Sequence, residues 1–156
     1  MGWESVISAA ALFALGALLL SAGLEDVRVR EIANWKNAAI ALLAPVWWWA
    51  SGLALWPGAA MQVGLGLAAF ALFAGAFRLG MMGGGDVKMI AALALWFPLP
   101  VLVDLLVVMS LAGGAITVAL MIERRWKKNE IEVPYGVAIA IAGLLALREP
   151  ILNRFA

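Results

Sequence analysis

Six apolar segments, separated by short polar or proline- and glycine-containing stretches, dominate the pattern of this 156-residue chain. About 20 apolar residues are needed to span a bilayer as a helix, and most of the segments approach that length. The fourth has only eleven residues, or about 16 Å of helix, against a hydrocarbon core of about 30 Å. The pattern predicts an all-α integral membrane protein with about six transmembrane helices, the fourth of them short. The predicted segments are 3–22, 37–55, 58–77, 87–97, 101–122 and 135–147.

The composition supports a membrane protein and narrows the possible chemistry. The chain is 65% hydrophobic and 13% charged, with a mean hydropathy of +1.00, which is more apolar surface than a soluble domain of this size can bury. It contains no cysteine and no histidine. Disulfides, thiolate metal sites, cysteine nucleophiles and a Ser-His-Asp triad are therefore excluded. Any catalysis must use carboxylates, Lys, Arg, Tyr or Ser, and no metal or cofactor is expected.

The basic residues are unevenly divided among the connections. Nine of the eleven lie in the first, third and fifth, so the positive-inside rule makes these connections cytoplasmic and places both termini outside. No basic residue precedes the first apolar segment, which is therefore interpreted as a membrane anchor and not a cleaved signal peptide. The basic residues are Arg28, Arg30 and Lys36; Arg78 and Lys88; Arg124, Arg125, Lys127 and Lys128; and, in the C-terminal tail, Arg148 and Arg154.

Four tryptophans lie near the predicted outer ends of segments two and three. Trp47, Trp48 and Trp49 are consecutive, and Trp56 follows in the next turn. Indole rings favour the membrane–water interface, so all four are interpreted as an aromatic belt.

Two aspartates are expected on the same side of the membrane. Asp26 lies in the predicted first connection and Asp86 in the third, and two crossings separate them. If the Pro98-Leu99-Pro100 turn reaches the outer surface, the short fourth helix begins inside the bilayer. The glycine-rich segment before it would then be a re-entrant loop that places Asp86 below the cytoplasmic surface. Irregular backbone and an ionisable group at that depth indicate a functional site.

Each acidic residue also has a structural interpretation. Asp86 can cap the start of a helix, with glycine supplying the turn. Asp26 can belong to a solvated cluster with the neighbouring Glu25, Glu31, Arg28 and Arg30. Asp104, predicted in the first turn of segment five, is interpreted as structural, because a helix start favours a negative charge.

Three motifs, in order along the chain, resemble those of type IV prepilin peptidases. Residues 26–34, DVRVREIAN, resemble the family motif Asp-x-Arg-x-Arg-x-Ile-Pro-Asn. Residues 83–88, GGGDVK, fit Gly-x-Gly-Asp-x-Lys, and residues 133–139, VPYGVAI, are similar to Pro-Tyr-Gly-x-Ala-Ile. Together they cover nearly all of the chain, which makes the resemblance far more specific than one Gly-x-Gly-Asp element.

The resemblance implies an aspartic endopeptidase of the GxGD type that removes basic leader peptides from type IV or Flp-type prepilins. It implies Asp26 and Asp86 as the catalytic pair, at the cytoplasmic face of the bacterial inner membrane. The expected partners are a prepilin, membrane lipid and pilus-assembly proteins, with no nucleic acid. An alternative role is open for three basic residues, which is only to hold cytoplasmic connections on the inner side of the membrane. They are Lys88, Arg28 and Arg30. The residues expected to bind substrate or support the pair are Gly83, Gly84, Gly85, Lys88, Arg28, Arg30, Asn34, Pro134, Tyr135 and Gly136.

Two departures from the family pattern refine this expectation. Ala33 replaces the usual proline, which is expected to loosen the start of the second helix. The chain also lacks the zinc-binding insertion with paired Cys-x-x-Cys found in larger members, and so resembles the short Flp/Tad-pilus branch. The N-methylation that larger members perform is doubtful here.

Two other functions remain open at this point. A small proton-coupled carrier or an assembly subunit could use Asp86 as a buried proton relay. This alternative does not explain why Asp26 and the Pro134-Tyr135-Gly136 stretch share its side. Cleavage of other substrates within the membrane, as in presenilin-like relatives, is a third possibility.

Overall fold

All regular secondary structure is helical in the part of the chain that the computed structural model describes, residues 2–124 and 134–148. The predicted basic positions Arg125, Lys127, Lys128 and Arg154, and Val133 of the third motif, lie outside these residues. A π-helical turn, Leu55–Ala59, leads directly into the third α-helix. The helices are α1 (Trp3–Val29), α2 (Asn34–Ala50), α3 (Ala60–Arg78), α4 (Gly84–Ala94), α5 (Leu99–Arg124) and α6 (Tyr135–Ala146).

Within residues 2–124 and 134–148, three helical stretches are long and apolar enough to cross a membrane. They are Trp3–Val29, Leu55–Arg78 and Leu99–Ile122, while α2, α4 and α6 are shorter. The all-α class and the short fourth helix are confirmed. The number of helices that span a bilayer stays a prediction.

The first helix extends well beyond its predicted end at residue 22, so the placement of Asp26 in a loop is wrong. Asp26 lies in the last turns of α1. Glu and Arg are good helix formers, and the positive charge of Arg28 is favourable at a helix C-terminus, so the polar residues after Ala22 continue the helix. The helix ends at Arg30, which has φ 58° and donates its N–H to the Asp26 carbonyl at 3.1 Å.

Four helices form the centre of the bundle. Helices α1, α2, α4 and α6 close a ring in which α2 packs against α1 and α4, and α6 packs against the same two helices. Helix α3 packs mainly on α4 and α5 mainly on α6, so these two flank the ring. The apolar centre includes the fully buried Leu15, Leu19, Ile40, Met89 and Ile90.

Two tryptophans join α2 to the C-terminal end of α4. Trp48 donates from Nε1 to the Leu95 carbonyl at 2.8 Å, and Trp96 donates from Nε1 to the Ile40 carbonyl at 2.9 Å. The aromatic-belt interpretation is therefore wrong for Trp48, which is buried because its indole N–H satisfies a carbonyl at the end of a short helix. Trp49 and Trp56 are exposed at this end, as a belt requires.

Helix α4 runs antiparallel to α3 and covers only part of it. A Cβ built on Gly84 would lie 3.5 Å from Phe77 Cε2, near the end of α3. A Cβ built on Gly66 would lie 2.6 Å from Leu95 Cδ2, so the end of α4 lies beside the first half of α3. Gly84 and Gly85 belong to the first turn of α4, so the prediction of an irregular glycine loop before Asp86 is wrong for these two residues. How deep this segment lies in a bilayer stays a prediction.

We expect Trp48→Phe to lower the free energy of unfolding by about 1–3 kcal/mol, because the Leu95 carbonyl would lose its donor in apolar surroundings. Thermal or denaturant unfolding in detergent micelles measures the change. Trp56→Phe is the matched control: its side chain is 82% exposed, so the expected change is within about 0.5 kcal/mol. Equal losses in the two variants would contradict the assigned role of the Trp48 hydrogen bond.

Candidate active site

The Asp26 carboxylate lies against the start of α6. The residue is 5% exposed, and its Oδ2 accepts a hydrogen bond from the Val137 N–H at 3.2 Å. Val137 is in the first turn of α6, where the helix dipole favours a negative charge, and its N–H is shared with the Pro134 carbonyl at 3.2 Å. The last turns of α1 and the first turn of α6 therefore hold this carboxylate together.

Gly136 makes this contact possible. A Cβ at this position would lie 2.9 Å from Asp26 Cγ and 2.8 Å from Ile32 Cδ1, and both distances are too short for carbon atoms. Only glycine allows α6 to begin so close to α1. Packing thus explains the glycine of the Pro134-Tyr135-Gly136 stretch. Pro134 directly precedes α6, Tyr135 is its first residue, and Gly136 contacts Asp26.

Asp86 lies in the first turn of α4 and is 8% exposed. Its Oδ2 accepts from the Gly83 N–H at 3.3 Å, but the interpretation of Asp86 as the N-cap residue is wrong, because α4 begins at Gly84, three residues before its predicted start. Gly83 itself is the N-cap residue, and Asp86 reaches back to it from three positions further on. Ile32 lies against both Gly136, which meets Asp26, and Gly85, which directly precedes Asp86, so the two aspartates lie at the same end of the bundle. Asp86 can therefore accept from the start of α4 and still act together with Asp26.

The three glycines before Asp86 differ in their surroundings. A Cβ on Gly85 would lie 3.3 Å from Ile32 Cβ and 3.5 Å from the Ile32 backbone N and O, so α4 starts tightly against the loop that follows α1. Gly84 faces Phe77 at an ordinary contact distance, and Gly83 is exposed. None of the three has a positive φ. Close approach, and not an unusual backbone conformation, therefore favours glycine at Gly85, and also at Gly83, where a Cβ would lie 3.1 Å from Asp86 Oδ2.

The first turn of α2 connects the two aspartate-bearing helices, and the sequence interpretation missed it. Lys36 is 5% exposed; its Nζ lies 2.9 Å from Glu25 Oε2 and donates to the Ser21 carbonyl at 3.1 Å. Asn37 donates from Nδ2 to the Gly85 carbonyl at 3.1 Å. Lys36 is thus not a solvated positive-inside charge, because the extension of α1 brings Glu25 opposite it. Glu25 and Lys36 carry opposite charges on the two sides of a short turn, and this sequence feature could have predicted their contact.

Ala33 does not loosen the start of α2 as expected. Its φ of −58° and ψ of 131° are values that proline also adopts. Its N–H donates to Glu25 Oε2 at 3.2 Å, a bond that the family's proline could not make. The substitution therefore adds a contact to the Glu25–Lys36 pair.

The remaining predicted residues lie around this centre. Lys88 donates from Nζ to Asn34 Oδ1 at 2.7 Å, which joins α4 to the start of α2 at the surface. Arg28 and Arg30 are exposed, and Arg30 acts electrostatically on Asp26. Tyr135 packs beside Gly113 of α5: a Cβ on that glycine would lie 3.1 Å from Tyr135 Cε1.

Asp104 is exposed on α5 but lies beyond its first turn, so its predicted position is wrong by about one turn. The helix begins earlier than expected, at Leu99. Pro100 can lie in the first turn, because N–H groups there have no partner within the helix and the N–H that proline lacks is not needed.

Two buried carboxylates at one end of an apolar helical bundle define a distinct chemical arrangement. Neighbouring carboxylates do not readily ionise together, so they can share one proton. Such a pair can take a proton from water and give another to a substrate. The fold and site define an all-α membrane protein with paired aspartates.

The chain belongs to the type IV leader peptidase family, whose sequence model matches residues 4–118. The matched region contains Asp26 and Asp86 and ends before α6. No curated protein and no solved structure matches the chain. The family and the apolar helices together indicate a peptidase of the membrane.

We expect Gly136→Ala to displace the Asp26 carboxylate, because the added methyl group would overlap with Asp26 Cγ. A displacement of about 1 Å at a reacting group can cost up to about 10²-fold in rate. Peptidase turnover in membranes measures the loss. In the control Gly16→Ala, the new Cβ would have its nearest neighbour at 3.7 Å, so turnover should be retained. Full turnover in Gly136→Ala would contradict the assigned packing role of the glycine.

Proposed function

We propose that this chain is a membrane-embedded aspartic endopeptidase that removes the basic leader peptide from Flp-type prepilins at the cytoplasmic face of the membrane. The observation that carries the proposal is that Ile32 packs against both Gly136, which meets Asp26, and Gly85, which precedes Asp86, so the two buried aspartates lie at one end of the bundle. Membership of the leader peptidase family supplies the reaction class.

The proposed chemistry uses one ionised and one protonated carboxyl group. The ionised group takes a proton from a water molecule as the water oxygen attacks the carbonyl carbon of the scissile peptide bond. The protonated group donates to the carbonyl oxygen. Collapse of the tetrahedral intermediate then breaks the C–N bond. The carboxyl group that took the water proton gives it to the departing amine, and the hydroxyl proton of the intermediate returns to the other carboxylate, which restores the pair. Because the proton is shared, the roles of acid and base belong to the pair and not to one residue.

The location of the pair suits a substrate that is partly in water and partly in lipid. The carboxylates lie close to the ends of α1 and α4, beside the surface contact between Lys88 and Asn34. A prepilin carries its basic leader in the cytoplasm and its apolar helix in the bilayer. The leader junction would therefore reach such a site if this end of the bundle faces the cytoplasm, as the basic residues at Arg28, Arg30 and Arg78 favour.

The short Flp-type branch is proposed because the chain has no cysteine with which to build the zinc-binding insertion of larger relatives. Leader removal is accordingly the activity proposed, without N-methylation.

We expect Asp26→Asn and Asp86→Asn each to reduce leader removal by at least about 10²-fold, since each amide abolishes proton transfer by one member of the pair. The assay is co-expression with a Flp-type prepilin, with loss of the leader followed on a gel. Asp104→Asn is the matched control, because it removes an acid that is exposed on α5. All three variants should remain in the membrane fraction.

Leader removal that persists in Asp26→Asn or Asp86→Asn would refute the assigned pair. Cleavage lost equally in Asp104→Asn would show that charge removal alone disrupts the protein.

A further inference from the structure

We propose that Lys36 and Asn37, in the first turn of α2, are positioning residues that set the separation of Asp26 and Asp86. The inference rests on the proposed function, because it concerns the geometry of the same pair. Lys36 holds the helix that carries Asp26, and Asn37 holds the start of the helix that carries Asp86.

The Lys36 contacts fix the end of α1. Its ammonium group is almost fully buried and contacts both the Glu25 carboxylate and the Ser21 carbonyl, four residues apart on the same helix. Glu25 immediately precedes Asp26 in the chain. A buried ammonium group requires partners in fixed places, since an unpaired buried charge is strongly unfavourable. The position of Lys36 therefore limits how far α1 can rotate about its axis, or shift along it, at Asp26.

The Asn37 contact fixes the start of α4. Asn37 is 4% exposed, and its amide nitrogen binds the carbonyl of Gly85, the residue directly before Asp86. Its Oδ1 is buried and has no hydrogen-bond partner within the described residues. Leaving such an oxygen unsatisfied is unfavourable. An apolar residue would avoid that cost, so the donor contact to Gly85 is the interaction that favours asparagine here.

Helix α2 is suited to control the separation because it packs against both α1 and α4, which make few contacts with each other. Lys36 and Asn37 are adjacent in the chain, so one short segment of backbone connects the two contacts. A shift of this turn would move Asp26 and Asp86 relative to each other. Neither side chain bonds to a carboxylate oxygen of the pair, so both act through α1 and α4.

The first test measures prepilin cleavage. We expect Lys36→Met and Asn37→Leu each to lower kcat by about 10- to 100-fold with KM little changed, because the reacting groups shift while the substrate contacts remain. Lys36→Arg keeps the positive charge beside Glu25 and should retain most of the activity. Arg78→Gln is the control for loss of a cation, since Arg78 is exposed at the end of α3.

The second test measures the geometry without requiring cleavage. The chain has no cysteine, so Val27→Cys and Met81→Cys place two nitroxide labels at exposed positions, one beside Asp26 and one shortly before the start of α4. We expect Lys36→Met and Asn37→Leu to shift or broaden the distance distribution measured by electron paramagnetic resonance. Lys36→Arg should leave the distribution close to that of the doubly labelled reference.

Unchanged distances in both Lys36→Met and Asn37→Leu would overturn the positioning role, whatever happens to cleavage. A shift in Lys36→Arg as large as that in Lys36→Met would overturn the role of the ion pair. If the distances change as expected while the unlabelled parent fails to cleave any Flp-type prepilin, the proposed function fails and the positioning role stands.

Loss of folding is controlled by a second variant. Lys36→Met combined with Glu25→Gln removes both charges, so no buried charge is left unpaired and the fold should be retained. The combined variant should still show the altered distance distribution, because the attachment of α2 to α1 is lost. Reference-like distances in this folded variant would contradict the proposal.

Discussion

The packing of α4 and α6 against Ile32 is the constraint on which the candidate site depends. Gly85 and Gly136 lack the side chains that would otherwise hold the two helix starts away from the loop after α1. Their approach brings the first turn of α6 to Asp26 and the first turn of α4 to the same end of the bundle. Because interiors are close-packed, a single added methyl group at either glycine cannot be absorbed without movement of a neighbouring element.

The surroundings of the two aspartates explain how an apolar bundle accommodates them. Burying a carboxylate is unfavourable unless donors replace the water that it loses. The donors here are backbone N–H groups at helix starts: Val137 for Asp26 and Gly83 for Asp86. N–H groups in a first helical turn have no carbonyl four residues earlier to bind, so a carboxylate can accept from them. The Val137 N–H is shared between Asp26 and the Pro134 carbonyl, which lies at 3.2 Å.

The bundle separates the elements that hold the site from those that flank it. The ring of α1, α2, α4 and α6 contains both aspartates and the polar contacts of the first turn of α2. At its other end, the indole groups of Trp48 and Trp96 connect α2 to the region where α4 ends. Helix α4 is therefore fixed to α2 at both ends, through Asn37 and through Trp48. This arrangement holds a helix of only eleven residues in place within the ring.

The sequence alone predicted the all-α class and the six helical segments, because apolar segment lengths follow directly from the order of residues. It further predicted that Asp26 and Asp86 lie at the same end, while their action as a pair stays a proposal. It also carried the motifs that indicate the peptidase family. Only the tertiary structure decided that Lys36 is buried, that Trp48 is not part of a belt, and that Gly85 and Gly136 are required by close packing. The physical reason is that these roles depend on partners on other helices. A local pattern specifies which side chains are apolar or charged, whereas the contact that each one makes is set by how the helices pack.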